Sequence, residues 1–237
     1  MQRRHRLSIP YQAALVLSIL PVILLLTACG DTTGKPPSAQ QLISKAQTAI
    51  NKVTSYHFNL TVDNPGTNGA FTIKDADGDI VVPDKLKSNA TTIVFGTSVQ
   101  VQFISIGNKQ FVSDPITGKW SPTSGLLDPR NLSDPQTGVA AILGHMQNLS
   151  TPSDSNVDGT DCWSIDGKLD AQYLTSITGG GLAPGTLVNV NTCIGKSDNL
   201  PYLIKMNGKA AQGDLANTSR TFKLSKFGET VTITAPI

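Results

Sequence analysis

The chain has 237 residues, 39% of them hydrophobic, which is enough to bury the core of one domain of ordinary size. Its formal net charge of +2 comes from basic residues at the start, because residues 29–237 alone carry a net charge of about −1. No basic patch remains in that part, which argues against a nucleic-acid-binding function. Aromatic residues make up only 5%, whereas Thr, Val, Asn, Asp and Gly are plentiful, and this balance favours strands joined by tight turns.

The first residues have the order of a signal peptide. Arg3, Arg4 and Arg6 form a basic segment without an acid, and an apolar run over residues 7–26 follows it. The run ends in a lipobox, an aliphatic residue and two small residues before a cysteine: Leu26, Thr27, Ala28 and Cys29. An uncleaved membrane anchor with an incidental cysteine is the alternative interpretation.

The lipobox predicts how the chain is processed and where it resides. We expect residues 1–28 to be removed as a lipoprotein signal peptide and Cys29 to carry a diacylglyceryl group and palmitate. Residues 29–37 then form an acylated tether, and residues 38–237 form a single domain. The tether reaches at most about 28 Å, so the domain is expected to work close to the outer face of the cytoplasmic membrane.

The domain is predicted to begin with a helix followed by a strand. Ser38 and Gln41 have the spacing of a capping box, which satisfies the first free backbone donors of a helix. An apolar stripe with helical spacing follows: Leu42, Ala46, Ala49, Ile50 and Val53. From Ser55 the apolar period changes to two, which predicts a half-buried strand. Its apolar face carries Tyr56, Phe58, Leu60 and Val62.

A series of short strands is predicted next. Turn signals recur at Asn68-Gly69, Asp77-Gly78, Gly107-Asn108, Thr117-Gly118, Asp166-Gly167 and Asn207-Gly208. Between them, strands are predicted over residues 70–75, 79–82, 90–95, 99–106 and 110–113. No helix separates these strands, which argues against a doubly wound parallel sheet. Several of them are apolar at both parities, so both faces of the sheet are expected to be covered.

A second helix is predicted over residues 134–148. There Val139, Ile142, Leu143 and Met146 share one helical face. A short helical turn is predicted at residues 170–177, and Gly179, Gly180 and Gly181 after it form a flexible lip. The remaining strands are predicted at residues 161–169, 187–194, 201–206, 218–224 and 230–234.

Two cysteines remain besides Cys29. Because an exported protein resides where disulfides persist, a bond between Cys162 and Cys193 is favoured over two buried thiols. It would contribute on the order of 3 kcal/mol by constraining the unfolded chain. Only His57 and His145 are left as imidazoles beyond residue 28, so neither a metal site nor a cofactor is predicted.

The same shortage of reactive groups argues against an enzyme. No Gly-x-Ser-x-Gly nucleophile elbow occurs in the sequence, and His57 and His145 are expected to be structural or surface residues. Residues 75–79 resemble the start of a calcium loop, but Leu86 stands where the bidentate Glu is needed. A turn is the prediction there.

Six segments together resemble the LppX/LprG-type lipoproteins, a family best known from mycobacteria. They are VTSYHF (53–58), GDIVVPDKL (78–86), DPITGKW (114–120), DPQTGV (134–139), DGTDCW (158–163) and LPYLIKM (200–206). The resemblance covers most of the chain after Cys29. It implies an α+β fold, a LolA/LppX-like half-barrel with helices on the concave face of a curved antiparallel sheet and an apolar cavity between them.

The resemblance also implies a function. Acylated lipids or glycolipids are expected to bind in the cavity and to be carried within the cell envelope, with a membrane exporter as a further partner and the chain as a monomer. Candidate lining residues are Ile93, Phe95, Val101, Phe103, Val139, Ile142, Leu143 and Met146. The sequence does not decide which strand parity faces inward, because a shift of one residue inverts a strand. A non-lipid envelope interaction or assembly module with the same anchor is the alternative function.

Overall fold

The computed structural model describes residues 36–66, 71–94, 96–124, 128–178, 182 and 184–237. The predicted signal peptide and tether, up to residue 35, lie outside the described residues. The specific predictions that cannot be compared with the structure for this reason concern Leu26, Thr27, Ala28, Cys29, Phe95, Gly179, Gly180 and Gly181.

An antiparallel sheet of eleven strands forms the frame of the described structure. The strands are β1 (Ser55–Asp63), β2 (Phe71–Val81), β3 (Lys85–Val94), β4 (Thr97–Ile106), β5 (Lys109–Ser113), β6 (Trp120–Thr123), β7 (Ser153–Val157), β8 (Thr160–Asp170), β9 (Leu187–Gly195), β10 (Pro201–Asn207) and β11 (Ser219–Ser225). Their order is β6-β5-β4-β3-β2-β1-β11-β10-β9-β8-β7. Two local meanders are therefore joined where β1 pairs with β11, and the sheet is open because β6 and β7 lie at opposite edges.

Short helices cover one face of this sheet. They are α1 (Ala39–Ile50), α2 (Pro129–Ser133), α3 (Val139–Gly144) and α4 (Thr175–Thr178), with a 3-10 turn at Ala171–Leu174. Buried residues of these helices belong to the same core cluster as every second residue of the strands. Because α2 and α3 lie between β6 and β7 in the chain, they connect the two opposite edges of the sheet.

The first two elements form as the sequence predicts. The Ser38 side chain accepts a hydrogen bond from the Gln41 backbone N–H, and the Gln41 side chain accepts one from the Ser38 N–H, both at 3.3 Å. The capping box is thereby confirmed, and α1 ends at Ile50. The alternation after Ser55 is also confirmed, since Tyr56, Phe58, Leu60 and Val62 are all buried.

Strand register defines which side chains share the helix-covered face. Leu60 lies opposite both Phe222 of β11 and Ala76 of β2, so all three point to the same side of the sheet. The rings of Phe58 and Phe222 pack with their centroids 5.7 Å apart. The central pair β1–β11 is thus held by aromatic and aliphatic contacts from the helix-covered side.

The opposite face carries a second, smaller core. Ile104 and Phe111 are cross-strand neighbours on β4 and β5, and Ile233 of the C-terminal segment packs on them. The prediction that both faces are covered is confirmed here. The predicted strand at residues 230–234 is wrong, because this segment crosses the sheet without joining it, held at its start by a hydrogen bond from Gly228 N–H to Ser55 O of 2.8 Å.

Two Asp-Gly pairs do not form the predicted turns. Gly78 lies inside β2 and Gly167 inside β8, so the two strands predicted on either side of Asp77-Gly78 are replaced by the single strand β2 (Phe71–Val81). A Cβ at Gly78 would lie 2.2 Å from the carbonyl oxygen of Lys87, and one at Gly167 would lie 3.0 Å from that of Gln147. Both glycines therefore permit another backbone segment to approach closely.

The second predicted helix is shorter than expected, six residues of α3 instead of residues 134–148. Before it, Gly138 N–H donates to Asp134 O at 2.8 Å and closes a turn. After it, Gln147 forms an antiparallel β-bridge with Lys168 of β8, so the backbone is no longer helical there. The elements α2, β6 and β7 were not predicted, because they are only four or five residues long and show no apolar periodicity.

The two cysteines lie on neighbouring strands β8 and β9. Cys162 and Cys193 form a disulfide with a Cα–Cα distance of 5.5 Å. They have the strand parity opposite to Ile165, which belongs to the main core, so the bond lies on the face away from the helices. In the part of the chain that is described, no helix combines the length and the apolar character needed to span a membrane.

Candidate ligand-binding site

The helix-covered face of the sheet is apolar across eight strands that are neighbours in the sheet. Their order there is β4-β3-β2-β1-β11-β10-β9-β8. Each strand contributes at least one buried side chain to the same core: Phe103, Leu86, Ile80, Phe58, Phe222, Ile204, Val190 and Ile165. Leu42, Ile43 and Ala46 of α1 cover this face together with α3, of which Ile142 and Leu143 are fully buried. The result is one continuous hydrophobic interior between helices and sheet.

Six of the residues predicted from sequence to bind lipid lie in this interior: Val101, Phe103, Val139, Ile142, Leu143 and Met146. The prediction is wrong for Ile93. Register pairs Ala90 with Val101 on the interior side and Ile93 with Ser98, so Ile93 has the opposite parity to Ala90 and points to the other face. The sequence could not decide this because both parities of β3 carry apolar side chains near its end.

A pocket opens from the interior where α1, α2 and α3 meet β1 and the end of β2. Its volume is about 290 Å³ when the space open to solvent is included. Its lining consists of Ile50, Asn51, Val53, Tyr56, Val82, Leu132, Ser133, Val139 and Ala140. Asn51 is exposed, and Val53 and Val82 are half-buried, which places the mouth of the pocket at these residues. Of the predicted lipid-binding residues, Val139 lines it.

Two hydroxyl groups in this pocket have no partner other than each other. Tyr56 is only 2% exposed, and apart from their mutual contact neither its Oη nor Ser133 Oγ has a hydrogen-bond partner within the described structure. Burial raises the pKa of Tyr56, and the contact with the Ser133 hydroxyl offsets this only in part, so the phenol stays protonated. A buried hydroxyl without a partner costs about 1–3 kcal/mol, and such groups are uncommon in native proteins.

The buried ions of the described structure lie elsewhere and satisfy each other. Asp214 and Arg220 are its only buried charged residues, and Arg220 donates two hydrogen bonds to Asp214, at 2.5 and 2.7 Å. Asp214 also accepts from the N–H groups of Ala210 and Ala211. Burial alone would raise the pKa of Asp214, but Arg220 and these N–H groups hold it below its usual value. The pair closes the β10–β11 connection and leaves no charge for a ligand.

Neither histidine after residue 35 lines the pocket. The His57 ring lies between two carboxylates, with Nδ1 2.8 Å from Asp79 Oδ1 and Nε2 3.1 Å from Asp77 Oδ2. His145 stacks on Tyr173 with a centroid distance of 3.7 Å. Among the described residues, no group of three or more His, Cys, Asp or Glu side chains could hold a metal ion.

Sequence reasoning missed the two hydroxyls of the pocket. Tyr56 was predicted only as a buried residue of β1, and Ser133 belongs to a helix that was not predicted. A signal for Tyr56 does exist, because a tyrosine in an otherwise aliphatic and phenylalanine alternation must place its O–H beside a partner. No sequence signal brings Ser133 to the same pocket.

The open sheet, its helix-covered apolar face and the pocket at their junction define a LolA-like half-barrel. The chain belongs to the LppX_LprAFG lipoprotein family, whose family model matches residues 38–233. The family resemblance and the fold class predicted from the sequence are both confirmed.

Named relatives agree with this assignment. The chain is 28% identical to the putative diacylated glycolipid transporter LprF of Mycobacterium bovis, over 89% of this chain and 82% of the relative. It is 24% identical to the lipoarabinomannan carrier protein LprG of Mycobacterium bovis, covering 74% and 75%. The crystal structure of LprF from Mycobacterium bovis superposes with a TM-score of 0.67 at 18% identity, covering 84% of this chain and 96% of that one.

Proposed function

We propose that the protein is an extracytoplasmic lipid carrier that binds acylated lipids or glycolipids between its helices and its sheet and carries them within the cell envelope. The observation that carries the proposal is the apolar face that extends over eight strands beneath short helices and opens in a pocket. The names of two relatives, a glycolipid transporter and a lipoarabinomannan carrier, support it.

Lipid uptake requires the helix layer to move. Sites for small ligands hold about 300–1,000 Å³, whereas the space enclosed by the pocket is only about 20 Å³, roughly that of one water molecule. The helices α2, α3 and α4 have only five, six and four residues, but five of the six residues of α3 are buried, so its displacement has to be offset by contacts with the ligand. We infer that α2 and α3 separate from the sheet when an acyl chain enters beside Val139.

The apolar interior would keep an acyl chain out of water during transport. Release of the chain into water would cost about 0.8 kcal/mol per methylene, on the order of 10 kcal/mol for one long chain. A chain taken from the bilayer gains none of this free energy, because it is already out of water. The interior side chains that it displaces, each worth about 1.5–3 kcal/mol of burial, therefore have to regain apolar contacts on the bound chain.

The pocket suits binding rather than catalysis. Among the described residues, its lining contains no carboxylate, imidazole, thiol or amine, and Tyr56 is the only titratable one. General acid–base and nucleophilic catalysis both need an activated group at the site. We therefore propose a carrier without enzymatic activity.

The tether is proposed to hold the carrier at the membrane. Acylation of Cys29 after the lipobox would leave residues 30–37 as a flexible link of at most about 28 Å to α1. The domain would then receive lipid at the outer face of the cytoplasmic membrane, with an exporter in the same membrane as a candidate partner.

The direct test is a search for bound lipid. Residues 36–237 form a compact unit of their own, so a chain of residues 30–237 is expected to fold without the anchor. After expression in a lipid-rich bacterium, solvent extraction and mass spectrometry should find near-stoichiometric acylated lipid. The variant Val53→Trp, which fills the mouth of the pocket, should lose most of it.

The matched control is Val231→Trp, which adds the same bulk beside the small core on the opposite face. It should retain bound lipid. An extract free of lipid from the unsubstituted protein, together with no uptake of a fluorescent acyl lipid, would contradict the carrier function. That outcome would favour the non-lipid interaction module with the same anchor.

A further inference from the structure

The pocket holds two buried hydroxyls on two different walls. Tyr56 belongs to β1 in the sheet, whereas Ser133 is the last residue of α2 in the helix layer. Both line the same pocket, and apart from the contact between them neither Oη nor Oγ has a hydrogen-bond partner in the described structure. A ligand group that enters between the two walls can therefore reach both hydroxyls.

The surroundings of the hydroxyls determine which ligand group they can hold. The other lining residues are aliphatic, apart from Asn51 at the exposed mouth: Ile50, Val53, Val82, Leu132, Val139 and Ala140. No Lys, Arg or His of the described part of the chain lines the pocket. A phosphate or a carboxylate would lose its hydration there without gaining a cation, so a charged head group does not fit.

A neutral oxygen acceptor does fit. Each hydroxyl has one O–H donor, and a carbonyl oxygen has two lone pairs, so one carbonyl can accept from both donors. Acylated lipids carry such a carbonyl at the point where the acyl chain joins the head group. The pocket offers both kinds of contact, because Asn51 is exposed at its mouth, the hydroxyls of Tyr56 and Ser133 are buried, and the rest of its lining is aliphatic.

We propose that Tyr56 and Ser133 form a polar subsite that binds the ester carbonyl of an acylated glycerol or sugar, with the acyl chain directed into the interior. This inference rests on the proposed carrier function and adds the substrate class. Ester-linked lipids are selected over ether-linked lipids of the same chain length, and over free fatty acids, whose carboxylate finds no cation in the pocket.

The test compares two probes that differ in a single carbonyl group, 1-lauroylglycerol and its ether analogue 1-O-dodecylglycerol. Affinities are measured by calorimetry on residues 30–237. The unsubstituted protein should bind the ester about tenfold more tightly, which corresponds to about 1.4 kcal/mol. Tyr56→Phe removes the hydroxyl and keeps the ring, so it should abolish this preference by weakening ester binding alone. Ser133→Ala should reduce the preference by about threefold.

Tyr202→Phe is the matched control. The Tyr202 hydroxyl donates to Asp198 Oδ2 at 2.6 Å and does not line the pocket, so its loss should leave the ester preference unchanged. Thermal unfolding gives a second readout. Because Ser133 is the one group of the described structure that contacts the Tyr56 hydroxyl, Tyr56→Phe should unfold at close to the temperature of the unsubstituted protein or higher.

Four results would overturn the inference. Equal affinity of the unsubstituted protein for ester and ether would show that the hydroxyls do not bind the carbonyl. An equal loss of affinity for both probes in Tyr56→Phe would show the same. The carrier function would stand in either case. A clearly lower unfolding temperature of Tyr56→Phe would show that its hydroxyl already serves the fold. Failure of the unsubstituted protein to bind either probe would contradict the carrier function itself.

Discussion

At the scale of single residues, the buried polar groups of this protein differ in whether the fold supplies them with partners. The carboxylate of Asp214 is matched by Arg220 and by two backbone N–H groups. The hydroxyls of Tyr56 and Ser133 have no partner in the pocket other than each other. The ion pair therefore serves the fold, because each charge needs the other, whereas the two hydroxyls are the groups proposed to bind a ligand.

Removal of one partner of the ion pair should be costly. Asp214→Asn leaves a buried Arg220 without its counter-charge, and we expect the free energy of unfolding in urea to fall by about 3–5 kcal/mol. The control Asp154→Asn removes the exposed partner of Lys196, where a loss of under about 1 kcal/mol is expected.

The same pair predicts a pH dependence with a definite sign. The folded-state pKa of Asp214 is lowered, so its contribution is present above the unfolded-chain pKa of about 3.9. It is lost as the pH falls from there through the folded-state pKa. The stability difference to Asp214→Asn should be constant from pH 7 to pH 5 and should shrink below about pH 4. A difference that persists unchanged to low pH would contradict an ionic pair.

At the scale of elements, the sheet depends on a few places where two backbones meet closely. Gly78 is one of them, opposite Phe58 of β1 and Ser88 of β3. A Cβ there would lie 2.2 Å from the Lys87 carbonyl oxygen. The neighbouring strand cannot yield at this point without losing its hydrogen bonds, so the position requires a glycine.

Gly78→Ala should therefore weaken the β2–β3 pairing. We expect a loss of about 1–3 kcal/mol in the free energy of unfolding, as for other overpacked sites, measured by chemical denaturation. Thr61→Ala, at an exposed site of the adjacent strand β1, should change stability by less than about 0.5 kcal/mol. Equal stability of Gly78→Ala and the unsubstituted protein would show that the strands can separate slightly at no cost.

The elements that sequence predicted well are those with local causes. Ser38 and Gln41 cap α1 across three residues, and the alternation from Tyr56 to Val62 records which side of β1 is buried. The turn predicted at Gly78 was wrong because the glycine is needed for the close approach of the neighbouring strand β3, which the local sequence does not show. The segment at Val231 and Ile233 has the alternation of a strand and is buried in alternation, but it packs on the sheet without pairing to it.

The candidate site was less predictable than the fold. Val139 could be chosen from the helical face of α3, but the parity of Ile93 could not be known without the register of β3. Tyr56 and Ser133 come together only because the α2–α3 segment returns over β1 after six strands. Such a pairing depends on the whole topology, which no local pattern encodes.

At the scale of the whole molecule, the proposed function needs both the domain and its anchor. The domain can shield an acyl chain, and the anchor would keep it within about 28 Å of the lipid source. Cys29→Ser should abolish incorporation of labelled palmitate and should leave the chain as an uncleaved precursor of higher mass. Cys162→Ser, a control for loss of a thiol, should still be labelled. Labelling of Cys29→Ser would contradict the lipobox.

The position of the last strand determines when the fold can be completed. β1 pairs with β11, and His57 lies opposite Ser225 although almost the whole domain separates them in the chain. The two meanders are made of sequential neighbours, whereas this central pairing has to close a very long loop, which slows folding. Each half can thus form as it is synthesised, but their apolar faces stay exposed to the surroundings until residues 219–225 arrive and join them.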